Sequence, residues 1–260
     1  MKITFLGTGT SHGIPVIGCD CSVCTSQNPK DNRTRSSVLI THNKKNILID
    51  ASTDLRQQAL RHKLKNINAV LCTHVHADHV FGMDDLRAFN ERQNFEAIPY
   101  YAQKRDMEEL KDIFHHIFEP VPQKGGGLPK IDLKEIKADH PFNLFGLNIL
   151  PLKIMHGIVP ILGYRIENFA YLTDCSEIPE DTLKQLNNLD ILVLDALRHK
   201  PHPTHFNVEQ AVAMAQKIGA KHTYFTHIAH NLDHEKTNKE LPENIELAYD
   251  GLEVSASPPS

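Results

Sequence analysis

Four candidate metal ligands lie close together in residues 73–79, THVHADH, directly after a short apolar run. The apolar run predicts a buried strand, and Asp78 and His79 fall on the turn into the next helix. His74 and His76 are two residues apart, so in an extended chain their imidazoles point to the same side. Imidazole and carboxylate together suit zinc, manganese or iron, and four donors exceed what one ion ordinarily takes from so short a segment. We therefore expect two divalent ions at the end of a buried strand.

The rest of the sequence alternates short β-rich runs with helical segments. Strands are predicted at residues 2–6, 37–41, 46–49, 69–72, 131–136, 147–152, 163–166, 170–173, 191–194 and 223–226. Helices are predicted at 53–62, 84–92, 103–118, 181–188 and 208–218, and a glycine-rich loop at 123–129. Strands in both halves, each half followed by helices, indicate an α/β fold of two packed sheets with helices outside, a four-layer α/β sandwich. We expect a single domain over residues 1–254 and a frayed tail at 255–260.

Composition and charge exclude several classes of protein. The formal net charge of -4 gives no bulk attraction to nucleic acid or to anionic membranes, so a nucleic-acid partner is not expected without a local basic patch. No apolar run reaches about 18 residues, and the first ten residues lack the apolar core of a signal peptide. We therefore expect a cytoplasmic protein without membrane association. Five cysteines in such a chain favour reduced thiols or metal ligation over a disulfide framework.

THVHADH resembles the signature of the metallo-β-lactamase superfamily, whose αβ/βα sandwich carries its metal site along one edge of the two sheets. Three further residues, each at the end of a predicted strand, stand where that superfamily needs ligands: His156, Asp174 and His227. By this resemblance, one ion would be held by His74, His76 and His156. The other would be held by Asp78, His79 and His227, with Asp174 bridging the two.

Other stretches narrow the resemblance to one branch. Residues 7–15, GTGTSHGIP, and 18–24, GCDCSVC, are similar to the opening of the PhnP-type phosphodiesterases, which act on cyclic ribose phosphates in phosphonate breakdown. His156-Gly157 followed by GYRI at 163–166 resembles a further stretch of that branch. His205, in the segment Thr-His-Phe-Asn, falls where the branch keeps a catalytic histidine. The resemblance spans residues 1 to about 254.

The cysteine-rich stretch needs a fourth ligand to form a closed metal site. Cys19, Cys21 and Cys24 are spaced tightly enough to surround one ion, and structural zinc sites are four-coordinate. His230 lies three residues beyond His227 and could reach a neighbouring site through a turn. The resemblance to PhnP-type enzymes implies that these three cysteines and His230 form a structural zinc site of the Cys3His type.

The expected reaction is hydrolysis of a small or cyclic phosphodiester by a hydroxide activated between two divalent metals, zinc or manganese, with iron as a further candidate. Asp78 and His205 are the predicted catalytic residues, His205 donating a proton to the leaving alkoxide. Asp195 either orients a histidine or caps a loop. Arg33 and Arg35 are candidates for phosphate contacts, with simple solvated charges as the alternative.

Two other activities remain open from the sequence. A ribonuclease of the tRNase Z kind shares fold and ligands, but the chain has no obvious long basic arm for gripping tRNA. A thioesterase or lactonase of the glyoxalase II kind is disfavoured by the His205 assignment and by the GYRI stretch. The expected partner is a small phosphodiester substrate, and relatives of this kind often form homodimers.

Overall fold

Two seven-stranded sheets make up the centre of the molecule in the computed structural model, which describes residues 1–119 and 127–256. The first half contributes β1 (Lys2–Gly7), β2 (Ser37–His42), β3 (Lys45–Ile49), β4 (Ala69–Leu71), β5 (Ile98–Ala102) and β6 (Ile131–Glu135). The second half contributes β7 (Phe142–Leu144), β8 (Leu147–His156), β9 (Val159–Ile166), β10 (Phe169–Leu172), β11 (Ile191–Asp195), β12 (His222–Thr226), β13 (Ile245–Leu247) and β14 (Glu253–Ser255).

The strand order brings several strand ends to one edge. The first sheet runs β14-β1-β2-β3-β4-β5-β6 and the second β13-β12-β11-β10-β9-β8-β7. Each sheet is part antiparallel and part parallel: β3 to β6 are parallel in the first, and β10 to β13 in the second. Since parallel strands end at the same edge, the loops after β3 and β4 emerge together, as do those after β10, β11 and β12. Such edges are where α/β sheets place ligands.

Helices cover the outer face of each sheet. They are α1 (Leu55–Arg61), α2 (Ala77–Val80), α3 (Arg87–Arg92), α4 (Lys104–Ile113), α5 (His115–Phe118), α6 (Glu180–Leu183), α7 (Val208–Ile218) and α8 (His234–Glu240). One apolar cluster, including Phe5 and Tyr171, lies between the sheets. A second, with Leu55 and Leu110, lies under the helices of the first half, and a third, with Ala211, lies under those of the second half. The four-layer αβ/βα sandwich is therefore confirmed.

All ten predicted strands are present, and three of the four strands that were not predicted share a simple cause. β7, β13 and β14 have three residues each, too few for a periodic pattern. β5 contains Pro99, which weakens a strand prediction, yet it pairs between β4 and β6.

The helix predictions differ from the structure mainly at their ends. The predicted helix 103–118 is divided at Phe114, whose buried ring packs edge-on against Phe81 at 5.9 Å between centroids. The predicted helix 181–188 ends early, as α6, before an Asn-Asn pair that favours a turn. Of the predicted loop 123–129, residues 123–126 lie outside the described residues.

The expectation of a frayed tail is wrong for its first two residues. Ser255 pairs with Lys2 at the end of β14, and Ala256 is buried and donates its N–H to the Met1 carbonyl at 3.1 Å. The pairing with β1 explains this order, because it satisfies backbone groups that a frayed tail would leave to solvent. Residues 257–260 lie outside the described residues. Within the described part of the chain, none of the helices is both long and apolar enough to cross a lipid bilayer.

Candidate metal centre and active site

The predicted active-site residues meet where the ends of the parallel strands emerge. His74 and His76 follow β4, His156 is the last residue of β8, and Asp174 follows β10. His227 comes directly after β12. Both Asp174 and His227 have left-handed backbones, with φ of 55° and 57°, a conformation that costs energy in residues with a side chain and recurs at functional sites.

One donor cluster consists of His74, His76, His156 and Asp174, whose candidate ligand atoms all lie within 4.8 Å of one another. His74 Nε2 is 3.0 Å from His76 Nδ1 and 3.8 Å from Asp174 Oδ2. His156 donates its Nδ1 proton to the Thr204 carbonyl at 2.9 Å, which leaves Nε2 as its donor atom. The three histidines are those that the sequence resemblance assigned to one ion, and Asp174 is the carboxylate expected to bridge the two ions.

A second cluster of four buried residues shares Asp174 with the first: Asp78, His79, Asp174 and His227. His79 Nε2 lies 3.2 Å from Asp78 Oδ2 and 3.3 Å from Asp174 Oδ1. His227 Nε2 lies 3.2 Å from Asp174 Oδ2. Because one carboxylate belongs to both clusters, the geometry could hold two ions side by side.

The chemistry of this centre fits divalent cations. Asp78 Oδ2, His79 Nε2 and His227 Nε2 are buried and have no hydrogen-bond partner among the described residues, an arrangement that is costly unless something else fills it. Burial alone would raise the pKa of Asp174, but His227 and His79 hold it well below its ordinary value, so the carboxylate is ionised. Burial and the neighbouring His79 lower the pKa of His74 well below its ordinary value. Burial alone would lower the pKa of His79 and His227, but Asp174 and the other neighbouring carboxylates raise it, that of His227 to about 9. Since neutral imidazoles and ionised carboxylates are the forms that bind metal, a metal ion would displace protons from these two histidines.

Asp50 is a site residue that the sequence reasoning missed. Its Oδ2 accepts the Nδ1 proton of His79 at 2.8 Å, and both its oxygens also accept hydrogen bonds from Thr73. This fixes the tautomer of His79 and turns the lone pair of Nε2 toward the cluster. The signal was present, because Asp50 follows a predicted strand as Asp174 does, but no spacing motif marks it.

His205 lies against the centre and is held by Asp195. Its Nδ1 is 2.7 Å from Asp195 Oδ2, which also accepts the N–H of Cys175 at 2.8 Å. The His205 ring stacks on His227 with centroids 4.7 Å apart. Asp195 therefore orients His205, the first of the two roles considered for it. Burial and the nearby His227 lower the pKa of His205 to about 4.

The three clustered cysteines meet His230 as the sequence led us to expect. Its Nδ1 lies 3.2 Å from Cys19 Sγ and 3.5 Å from the sulfurs of Cys21 and Cys24. Ligand atoms of a tetrahedral zinc site with ordinary bond lengths lie about 3.5 Å apart, so this set of donors could hold zinc. A hydrogen bond from the Cys24 N–H lowers the pKa of Cys21 to about 6, which favours the thiolate. Cys72 and Cys175 are fully buried, as predicted for small core residues.

The suggested phosphate contact is not available to the buried Arg33, and the partly exposed Arg35 is paired with a carboxylate. Arg33 is 2% exposed, and its guanidinium donates to Thr8 Oγ1 at 2.8 Å and also faces His234. Arg35 pairs with Asp54 at 3.2 Å and donates to the Ser11 carbonyl at 3.0 Å. Neither arginine is the simple solvated charge that the sequence offered as the alternative, because each side chain bonds to residues of a neighbouring loop.

A cavity of about 370 Å³ adjoins the centre on the side of His205. Its lining includes Ser11, Arg198, His202 and His230, so it extends from the expected general acid to the cysteine cluster. Arg198 was not singled out from the sequence, because a lone arginine carries no motif.

The comparisons with known proteins agree with this fold and centre. Residues 45–228 match the Beta-lactamase superfamily domain, and the chain belongs to the metallo-β-lactamase superfamily. The fold and the donor clusters accordingly describe a metal-binding hydrolase.

Within the superfamily, the chain is similar to a solved structure described as a new diphosphatase from the PhnP family. The identity is 45%, the TM-score is 0.91, and the match covers 97% of this chain and 96% of the other. The Zn²⁺-bound structure of PqqB from Methylobacterium extorquens has a TM-score of 0.81 at 21% identity, covering 98% of this chain and 100% of the other, and shows the fold alone.

Curated relatives differ in name. A protein named octanoyltransferase from Porphyromonas gingivalis is 41% identical over 257 residues, which are 98% of this chain and 51% of that protein. This chain therefore spans about half the length of that relative. Ribonuclease Z from Methanopyrus kandleri is 25% identical over 141 residues, covering 54% of this chain and 46% of the ribonuclease.

Proposed function

We propose that this chain is a phosphodiesterase that hydrolyses small or cyclic phosphodiesters with His205 as general acid. The observation that supports this most directly is the position of His205, bound to Asp195 at 2.7 Å and stacked on His227. Asp195 occupies the Nδ1 side of the ring, so Nε2 remains for a substrate oxygen beside the donor clusters. A histidine oriented in this way can protonate a leaving alkoxide.

We assign the metal ligands as the sequence predicted them. The first set is His74, His76 and His156, the second is Asp78, His79 and His227, and Asp174, which belongs to both clusters, would bridge them. The ions, when bound, would lower the pKa of a water molecule and offset the charge of the phosphate oxygens. We also propose a catalytic role for Asp78, because its carboxylate belongs to the donor cluster beside which the attacking water would be held. Cys19, Cys21, Cys24 and His230 would hold a structural zinc ion.

The protonation state of His205 depends on what lies beside it. Burial lowers its pKa to about 4, so the ring is neutral when no anion is near. A phosphodiester carries negative charge, and a negative charge next to an imidazole favours the protonated form. Substrate binding would therefore raise the pKa of His205, which is the direction that a general acid needs.

A second candidate is hydrolysis of a diphosphate bond, which the similarity to the PhnP-family diphosphatase favours. The two activities differ in the leaving group. An alkoxide must be protonated as it leaves, whereas a phosphate leaves readily without a proton. The two activities can therefore be distinguished by how much turnover each substrate loses when His205 is replaced.

The names of other relatives suggest weaker candidates. The octanoyltransferase relative is about twice as long as this chain, so its name describes a protein of which this chain spans about half. Acyl transfer and thioester hydrolysis both remain measurable alternatives, since the superfamily fold hosts several chemistries. For tRNA cleavage, the formal net charge of -4 is unfavourable.

The decisive experiment measures His205→Ala against wild type on three substrates with Zn²⁺ or Mn²⁺ supplied: uridine 2′,3′-cyclic phosphate, bis(4-nitrophenyl) phosphate and ADP-ribose. For the cyclic phosphodiester, whose leaving group is an alkoxide, we expect a loss of about 10²–10⁴ in kcat. For the 4-nitrophenyl ester, whose leaving group is good, the loss should be much smaller. Metal content should be unchanged in the variant.

Three results would contradict the proposal. Turnover of ADP-ribose far above both phosphodiesters, with little effect of the substitution, would favour the diphosphatase. Fast hydrolysis of an octanoyl thioester without phosphodiester turnover would favour acyl chemistry. Loss of metal in His205→Ala would mean that His205 is a ligand.

A further inference from the structure

An apolar groove of about 320 Å³ lies between α1 and α3, on the outer face of the first sheet. Its floor is made of aliphatic and aromatic side chains: Leu55, Ala59, Leu60, Leu64, Ala88 and Phe89. Most of these pack on the core under the helices, but Leu60 is 62% exposed beside the groove. None of the proposed metal ligands lines the groove, so it is separate from the centre described above.

Three exposed arginines flank this apolar floor. Arg56 is on α1, and Arg87 and Arg92 are the first and last residues of α3. Arg87 donates to the Gly127 carbonyl at 2.7 Å, and Arg92 donates to the Lys65 carbonyl at 3.2 Å. Within the described part of the chain, none of the three arginines forms a salt bridge. Their charges are therefore not neutralised by a bonded carboxylate.

The charge of the groove is opposite to that of the chain. The formal net charge of the chain is -4. Among the described residues that line the groove, Asp85 is the one acidic side chain beside the three arginines. It attracts Arg56 and Arg87 without forming a salt bridge, so guanidinium N–H groups stay available. Free guanidinium groups bind carboxylates strongly and with defined geometry.

The positive charges are spread along the groove and are not gathered at one point. Arg87 and Arg92 are five residues apart on a helix, which is roughly 7.5 Å along its axis. Arg56 lies on the other helix that borders the groove. A molecule with one anionic head, such as a fatty acid, would meet only one of these charges. A segment with several carboxylates beside a row of apolar side chains would match both the floor and the arginines.

A second copy of this chain and a nucleic acid fit the groove less well. A symmetric dimer through this surface would place the same patch on both subunits, so that arginine faces arginine. Nucleic acid bases bind on exposed aromatic rings, but Phe89, the aromatic residue of the described lining, is only 5% exposed. The chemistry therefore favours an acidic polypeptide.

We propose that this groove binds an acidic amphipathic helix of a partner protein, with its apolar face on the floor and its carboxylates on the three arginines. Such helices insert apolar side chains spaced three or four residues apart into a groove of this kind. Arg56 is the most available of the three arginines, because its side chain makes no hydrogen bond to the described residues. The inference does not depend on the proposed phosphodiesterase activity, since the groove and the centre share no residues.

The test selects peptides from a phage-displayed library of helices about 16 residues long, enough for helical structure, in which apolar, acidic, basic and neutral residues vary. Selection uses the metal-loaded wild-type protein, and counter-selection uses the double variant Arg56→Gln/Leu60→Ser. We expect the enriched peptides to combine leucine-like side chains on one face with glutamate or aspartate beside it. Fluorescence anisotropy of a labelled enriched peptide should show binding that weakens with added salt.

Matched variants assign the binding to the groove. Arg56→Gln and Leu60→Ser should each weaken the enriched peptide by about three- to tenfold, and Arg56→Lys should restore part of the affinity. Lys65→Gln and Ile17→Ser remove an exposed charge and an exposed aliphatic side chain outside the lining, and both should bind as wild type. Metal content and circular dichroism should be unchanged in every variant.

The inference is overturned if no peptide distinguishes wild type from the double variant, or if the enriched peptides are neutral or basic. Binding of dodecanoate or of phosphatidylglycerol vesicles that depends on Arg56 and Leu60, without peptide binding, would assign the groove to a fatty acid or to a membrane surface instead. A dimer in sedimentation that Leu60→Ser dissociates would assign it to a second copy.

Discussion

Asp50 acts on the centre through His79, although it is not itself a proposed ligand. Its carboxylate accepts the Nδ1 proton at 2.8 Å and so keeps Nε2 free to bind a metal. Replacing the charged oxygen by an amide would present an N–H to that proton and favour the wrong tautomer. Hydrogen bonds of this kind contribute substantially to metal affinity.

We therefore expect Asp50→Asn to weaken metal binding at the second cluster by about 10- to 100-fold while the fold is kept. Competition with a chelator measures the affinity, and circular dichroism checks the fold. Asp84→Asn is a matched control, since Asp84 is an exposed carboxylate that also bonds a histidine, His116, at 3.1 Å. An unchanged affinity in Asp50→Asn would mean that Asp50 does not set the tautomer.

His234 gives the molecule a pH-dependent stability that is independent of the active site. Burial, the facing Arg33 and, to a smaller extent, Lys30 lower its pKa to about 4 in the folded state, while the acidic Glu235 and Asp31 have smaller, opposing effects. In the unfolded chain the pKa is about 6.5. Between these values only the unfolded state takes up the proton, so stability falls as the pH falls through this window.

At pH 5 this difference amounts to about 2 kcal/mol at most. We expect His234→Gln to lose less stability than wild type between pH 7 and pH 5, by about that amount. Urea denaturation at the two pH values measures it. The same change at exposed His222 should leave the pH dependence as in wild type, and equal slopes for His234→Gln and wild type would refute the assignment.

At the scale of elements, the ends of strands decide which side chains meet. The sequence predicted β4, β8, β10 and β12, and the histidines and Asp174 at their ends, because strand and ligand are adjacent in the chain. His205 and Asp195 are ten residues apart on different elements, and only the fold brings them to 2.7 Å. The close approach of the His205 loop also needs Gly157: a Cβ there would lie 2.8 Å from the Thr204 side chain.

Elsewhere, tertiary contacts overrode what the local sequence indicated. Arg33 was a reasonable candidate for phosphate binding because of its place in the chain, but its burial at 2% exposure depends on Thr8, Ala248 and His234, which are distant in sequence. Arg198, the cavity residue, was missed for the complementary reason. Its place in the lining of the cavity comes from the fold, which no local motif records.

For the whole molecule, the donor clusters predict the metal content. Protein purified without chelator should contain about three divalent ions per chain, two in the centre and one with the cysteines. His230→Ala should reduce this to about two and lower the melting temperature, because it removes a ligand that joins the two ends of the chain. Elemental analysis and thermal unfolding provide the measurements.

The exposed His222, on the strand before His227, provides the control as His222→Ala and should keep all the ions. If His230→Ala retains the same metal content as wild type, the cysteine cluster is not a zinc site. A loss of all three ions would show instead that the two sites depend on each other.

The separation of Cys19 and His230 in the chain, 211 residues, has a consequence for synthesis. During translation the three cysteines leave the ribosome long before their fourth partner exists. The pairing of β1 with β14 comes even later, because β14 begins only at Glu253. Neither the cysteine site nor this edge of the first sheet can close before the segment from His230 to Ser255 has been synthesised, so both are completed late in the folding of these residues.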